Sequence, residues 1–194
     1  MICMEDSEDG SEDGSGKKVE LSRGTKDGDV YSNKTMGFKF NKPDDWVYMT
    51  EAEIASAMNI GMEALAGKNY KDLLKNLDMV YDMMAKDVLT GSNISVGYEN
   101  LERTFTSSIT EKQYADAMKT QLQNVPNVTF TFLDNYDKVK LGDTEFTRFI
   151  ANTVSYGTSM TQAIYLRKQG TYMTYVIVTL LGDYTVAEAE AMFE

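Results

Sequence analysis

The chain has 194 residues, 42% of them hydrophobic, which suits one domain with a substantial core. Its net charge of −11, from 30 acids against 19 bases, excludes the electrostatics of a nucleic-acid binder. There is no histidine, and the single cysteine is Cys3, which together exclude histidine triads, histidine metal sites, internal disulfides and a buried thiol nucleophile.

Residues 5–16 are an acidic, Gly/Ser-rich near-repeat that has no apolar surface to bury, and the composition predicts a disordered tail. Residues 1–16 carry six of the acids and no base, which leaves −5 for the rest, an ordinary value for a soluble domain. The polar stretch runs to about Gly28, so the tail is assigned to 1–28 and a single domain to 29–194. Asp9, Ser11, Asp13, Gly14 and Glu20 fall at calcium-loop spacing, but Gly16 stands where an apolar residue belongs and no helical pattern flanks the match. A solvated tail is the better reading. No apolar run has the length of a membrane span, and no secretory signal pattern is visible.

From Tyr31 to Asn41, Met36, Phe38 and Phe40 alternate with polar residues and predict a strand. Pro43 ends it, Asp44-Asp45 makes a turn, and Trp46 anchors the core beside a short strand at Val47–Met49. Thr50 and Glu53 form a capping box, and Ile54, Met58, Met62 and Leu65 make one helical stripe that Gly67 stops. Tyr70 to Leu77 reads as a second helix. Met79–Lys86 and the stretch holding Ile94, Val96 and Tyr98 read as strands. Thr110 and Gln113 open another helix through a capping box, with Ile109 and Tyr114 placed as a staple; Tyr114, Met118, Leu122 and Val125 are its stripe, and Pro126 ends it.

Val128, Phe130 and Phe132 alternate with threonines, and Phe146–Val154 is a further strand turned by Tyr156-Gly157. Ser159–Leu180 is a hairpin across Lys168-Gln169-Gly170. Its second strand sets Tyr172, Val176, Val178 and Leu180 on one side and Met173, Tyr175 and Ile177 on the other. Both sides are apolar, which puts the hairpin centrally in a sheet covered on both faces. Thr185 and Glu188 make a third capping box, followed by Val186, Ala189 and Phe193 on one face. The element order predicts an α+β fold, a largely antiparallel sheet with helices on both faces in an α/β/α sandwich.

The run Gly37-Phe38-Lys39-Phe40-Asn41-Lys42-Pro43-Asp44-Asp45-Trp46 resembles the opening of PsbP-like domains, and Tyr165–Tyr172 resembles their late hairpin. The group includes extrinsic photosystem II proteins, a Ran-binding transport factor and small lipoproteins of Gram-positive bacteria, and the chain looks most like the last. The resemblance implies a non-enzymatic α/β/α domain without shared catalytic residues; no motif here supports a photosystem or Ran-binding role. In the lipoproteins a lipid-modified cysteine begins a polar linker, and Cys3 followed by the acidic tract is similar, although the hydrophobic signal that precedes such a cysteine is missing.

Asp44 and Asp45 beside Trp46 are the candidate carbohydrate-binding residues, weighed against a turn next to a core tryptophan, which the residue types favour. Tyr165, Tyr172 and Tyr175 are read as core more than as a binding face. The sequons at Asn33, Asn93 and Asn127 matter only in a eukaryotic secretory pathway. No catalytic residue, metal site or cofactor is assigned. The leading expectation is a non-catalytic, extracytoplasmic binding or accessory domain, a monomer reaching the membrane only through a lipid on Cys3, with a protein or cell-envelope component as partner and no nucleic acid. The rivals are a carboxylate-based glycan hydrolase and, if Met1 is the true start, a cytoplasmic protein-binding adaptor.

Overall fold

The structure is a computed structural model, and it describes residues 20–65, 70–133 and 135–194. The acidic tract with its calcium-loop match, Cys3, and the helix stop at Gly67 lie outside these residues, apart from Glu20 at the edge of the match. In chain order the elements are β1 (Thr25–Asp27), β2 (Val30–Asn33), β3 (Phe38–Asn41), β4 (Trp46–Tyr48), α1 (Glu51–Ala57), α2 (Met62–Leu65) and α3 (Tyr70–Asn76). They continue with β5 (Met79–Asp87), β6 (Asn93–Asn100), α4 (Leu101–Thr104), α5 (Glu111–Gln123), β7 (Val128–Phe132), β8 (Asp137–Leu141), β9 (Thr144–Ser155), β10 (Thr158–Gln169), β11 (Tyr172–Leu180) and α6 (Val186–Glu190).

Among the described residues, eight strands form one antiparallel sheet in the order β4-β5-β6-β11-β10-β9-β7, with β8 also paired to β9. The hairpin of β10 and β11 is central, as its two apolar faces require. Gln169 pairs with Tyr172 across a tight turn in which Gly170 has a φ of +60°. Val176 and Val178 enter one core, with Ile94, Phe146 and Tyr165; Met173 and Tyr175 enter the other, with Leu101, Tyr114 and Phe149. Ile177, which packs against that second core, is only partly buried.

The two covering layers differ. α4 and α5 cover one face and α1 and α2 extend the same layer through Tyr81 and Met84. A second sheet, β1-β2-β3, covers the other face together with α6 and Leu74 of α3. The architecture is therefore the expected sandwich, with a small sheet sharing one of the helical layers.

Three capping boxes start α1, α5 and α6 at Thr50, Thr110 and Thr185, as their residue spacing predicts. Other expectations change. Residues 31–41 are not one strand but the hairpin of β2 and β3, because Asn33 Oδ1 accepts the N–H groups of Thr35 and Met36 and closes a turn between them. Gly37 completes that turn at φ +78°, and a Cβ there would meet Thr144 Oγ1 at 2.3 Å. The stripe from Ile54 to Leu65 is likewise broken. α1 caps at Met58, Asn59 adopts φ +55°, and Met62 of α2 is 52% exposed.

The domain also begins before the boundary placed near Asp29. β1 pairs with β2, Leu21 is buried, and the Ser22 carbonyl accepts from Asn33 Nδ2 at 3.1 Å and Tyr98 Oη at 3.3 Å. Truncation separates the two boundaries. A chain lacking 1–27 is expected to lose about 2–3 kcal/mol relative to one lacking only 1–19, roughly 5–10 °C in thermal midpoint. Equal midpoints by calorimetry would show that the segment 20–27 adds nothing.

Candidate functional site

The predicted corner at Asp44, Asp45 and Trp46 does not form a binding platform. Asp44 and Asp45 are exposed in the expected turn, but the Trp46 indole is 1% exposed. Its ring stands edge-on to Tyr184 at 6.1 Å, and Nε1 donates to the Tyr184 hydroxyl at 3.4 Å. A buried indole offers no face to a sugar. Trp46→Phe, which keeps an aromatic ring but loses volume and the N–H donor, is expected to cost about 1–2 kcal/mol in urea unfolding. Unchanged stability would remove Trp46 from the core account.

The larger cavity holds about 370 Å³ and lies between α1, the junction of α3 with β5, and α4. Met58, Ile60, Leu77 and Met79 line it, with Tyr81 and the pair Asp78 and Arg103. Arg103 Nε donates to Asp78 Oδ1 at 2.7 Å, in an ion pair open to solvent on both sides and so worth at most about 1 kcal/mol. Burial raises the pKa of the Tyr81 hydroxyl, which therefore stays protonated at neutral pH. Tyr81 also packs edge-on against Tyr175 at 6.0 Å. The hollow is lined about equally by polar and apolar surface, and its one ion pair is neutralised within the lining.

A second cavity of about 240 Å³ sits where β9 and β10 meet the loop after β11, lined by residues such as Asn152, Thr161, Leu180 and Tyr184. Its lining carries no charged side chain.

The buried carboxylates lie elsewhere, and each is closed by donors from the chain itself. A β-bulge between Tyr81 and Met83 turns Asp82 onto the small-sheet face beside Met83. Asp82 Oδ2 accepts from the Gly24 N–H at 2.8 Å, from Asn33 Nδ2 at 3.0 Å and from the Tyr31 hydroxyl; Oδ1 accepts from Tyr70 Oη at 2.8 Å. Burial first, and then the Asp82 charge, push the pKa of Tyr31 and Tyr70 well up, so both remain donors. Asp87 caps the turn after β5 through the N–H groups of Leu89 and Thr90 and the Thr90 hydroxyl. Glu99 accepts from the Tyr114 hydroxyl, whose pKa burial and then Glu99 push up. On the other side of the molecule, Arg148 donates to Glu190 Oε1 and Asp137 Oδ2, each at 2.7 Å, and Tyr165 donates to the same Glu190 oxygen at 2.8 Å. Among the described residues, no group of three or more Cys, Asp or Glu side chains is placed to hold a metal ion.

Asp82 and the Asp78–Arg103 mouth were not legible as sites in the sequence. One signal did exist. In Met79–Asp87 the run Asp82-Met83-Met84 breaks a strand's alternation, which is how a bulge reads. The tyrosines of the hairpin fall where core packing requires, with Tyr165 and Tyr175 buried and Tyr172 partly so. Of the three sequons, Asn33 is 2% exposed and hydrogen-bonded to Asp82.

This arrangement of a bilayered sandwich around one antiparallel sheet defines a PsbP-like fold. The chain is similar to the solution structure of cyanobacterial PsbP (CyanoP) from Synechocystis sp. PCC 6803, with 11% identity and a TM-score of 0.50 over 91% of this chain and 94% of that one. It is also similar to a crystal structure from Bacteroides thetaiotaomicron, with 14% identity over 84% of this chain and 46% of that one, at a TM-score of 0.39. No family model and no curated protein matches the sequence.

Proposed function

We propose that this chain is a non-catalytic accessory domain that works outside the cytoplasm by binding a protein or another cell-envelope component, tethered through a lipid on Cys3. The observation that carries the non-catalytic part is the fate of the buried acids. Asp82, Asp87 and Glu99 each serve as acceptors for donors of the fold, and the acid at the larger cavity is paired with Arg103. A carboxylate hydrolase needs two acids free to face one substrate, one of them held protonated. The PsbP-like fold supports the accessory role, and the acidic Gly/Ser tract after Cys3 supports the tether, since it gives a lipid-held domain reach from a surface.

The test uses the gene in its own host. Metabolic labelling with a clickable fatty acid is expected to mark the wild-type chain in the membrane fraction and to fail for Cys3→Ser. An unlabelled chain in the cytosol would overturn the tether and favour the adaptor. Separately, the purified chain is expected to sediment saturably with isolated cell envelopes. Hydrolysis of envelope glycans that disappears with one Asp or Glu substitution would overturn the non-catalytic reading.

A further inference from the structure

We propose that the β7 edge of the main sheet pairs with the same edge of a second copy, giving a two-fold dimer with one continuous sheet. This replaces the monomer expected from the sequence and is independent of the binding role proposed above.

The first observation is where charge is missing. In a chain with 25% charged residues, 120–133 and 149–166 contain no Asp, Glu, Lys or Arg. These runs are far apart in sequence, and the pairing of β7 with β9 makes them neighbours. Part of the second run is buried core, but the exposed large apolar side chains of the two runs and the adjoining turns include Val125, Leu133, Val154 and Tyr156. Two copies of a protein with a net charge of −11 repel each other over most of their surfaces. The β7 strand adds no charge to that repulsion.

The second observation is an unprotected edge. β7 is the terminal strand in the sheet order. Natural edge strands are usually blunted by Lys, Pro or bulges. β8, the other strand paired to the outer side of β9, carries Lys138 and Lys140. β7 reads Val-Thr-Phe-Thr-Phe, with high β-propensity and no charge. Lys119 of α5 lies over the Phe132 ring, on the covered face of the strand rather than along its edge.

The third observation is self-complementarity. Leu133 donates its N–H to the Ile150 carbonyl, so Thr131 and Thr129 also turn their backbone groups toward β9. Val128, Phe130 and Phe132 therefore turn theirs outward. A two-fold axis at Phe130 sets Phe130 opposite its copy and Val128 opposite Phe132, all as pairs that exchange both backbone hydrogen bonds. On one face the apolar side chains line up, with Phe130 already stacked on Phe132 at 6.0 Å. On the other face Thr129 stands opposite Thr131, a favourable cross-strand pair. The exposed Val154, beside Thr129 in the register, extends that face.

The test is sedimentation equilibrium of the full chain with reductant, which removes any cross-link through Cys3. Wild type is expected to dimerise. Thr129 and Thr131 are both exposed, so charging them leaves the fold intact, which unchanged circular dichroism and thermal midpoint will show. The double variants T129K/T131K and T129E/T131E set like charges opposite each other across the axis. Each alone is expected to dimerise at least about tenfold more weakly. An equal mixture of the two sets Lys opposite Glu and is expected to recover wild-type association as a heterodimer. A wild-type chain that stays monomeric throughout the accessible concentration range would overturn the proposal. So would variants that dimerise as tightly as wild type, or a mixture that fails to recover.

Discussion

Asp82→Ala is expected to cost about 3–5 kcal/mol, a large share of the roughly 5–15 kcal/mol that holds a domain of this size. The loss comes from what remains behind. The Gly24 N–H, the hydroxyls of Tyr31 and Tyr70, and the Asn33 amide all donate to one carboxylate that is 5% exposed. Alanine leaves these donors buried without an acceptor. The donors come from the N-terminal segment, β2 and α3, and the carboxylate from β5, so the variant unfastens the small sheet and α3 from the main sheet together. Asp82→Asn keeps one carbonyl acceptor and is expected to lose clearly less. Urea unfolding of the three chains, with the near-ultraviolet tyrosine signal followed alongside, makes the comparison. An Asp82→Ala chain as stable as wild type would mean that water reaches the donors and that the cluster is not a fastening.

Alkaline pH is expected to unfold the protein in one cooperative step. Tyr31, Tyr70, Tyr98, Tyr114, Tyr165 and Tyr175 all have hydroxyls raised in pKa, in each case with burial as the first cause. In the unfolded chain each ionises near pH 10. A group whose folded pKa is raised contributes stability that is complete below the unfolded pKa and declines as pH rises toward the folded one, because the unfolded state then binds fewer protons. Above pH 10 each such tyrosine removes about 1.4 kcal/mol of folding free energy per pH unit, and six remove about 8. The stability of the domain is exhausted within about one to two units. Tyrosinate absorbance and far-ultraviolet circular dichroism should therefore change together. Gradual ionisation of these tyrosines with the fold retained would show that they are not held by burial.

Much of this fold is legible in the sequence, for definite physical reasons. The β10–β11 hairpin declares itself because its second strand carries apolar side chains on both faces, Val176 and Val178 on one and Met173 and Tyr175 on the other. The helix starts at Thr50, Thr110 and Thr185 declare themselves because a capping box is a local device, complete within four residues. What misleads is whatever depends on partners distant in the chain. The turn between β2 and β3 is hidden because Met36 is apolar and buried, so it counts as one more beat of a strand. β8 alternates, with Lys138 and Lys140 against Val139 and Leu141, but only over five residues, and it takes its place from pairing with β9. The corner at Trp46 offers the residue types of a sugar platform, and only the packing of Tyr184, far along the chain, shows which way the indole lies. Asp82 is hidden for the same reason, because its donors stand in three other segments.

The position of β6 in the sheet sets the order in which the chain can fold. Between β6 and its partner β11 lie α4, α5 and β7 through β10, yet Val96 pairs with Val176 at the centre of the molecule. The β10–β11 hairpin closes over two residues and can form on the microsecond scale without the rest. β6 must then find it across a long loop whose closure entropy is lost before any contact repays it, and such non-local pairing slows folding. Substitutions in the hairpin, such as Ile164→Val, should therefore slow refolding. Substitutions where β4 or the small sheet docks, such as Phe40→Leu, should mainly speed unfolding. Leu21 and Phe193, near the two ends of the described residues, join the same core, with Phe193 bridged to Phe40, and substitutions there are likewise expected to change unfolding more than refolding.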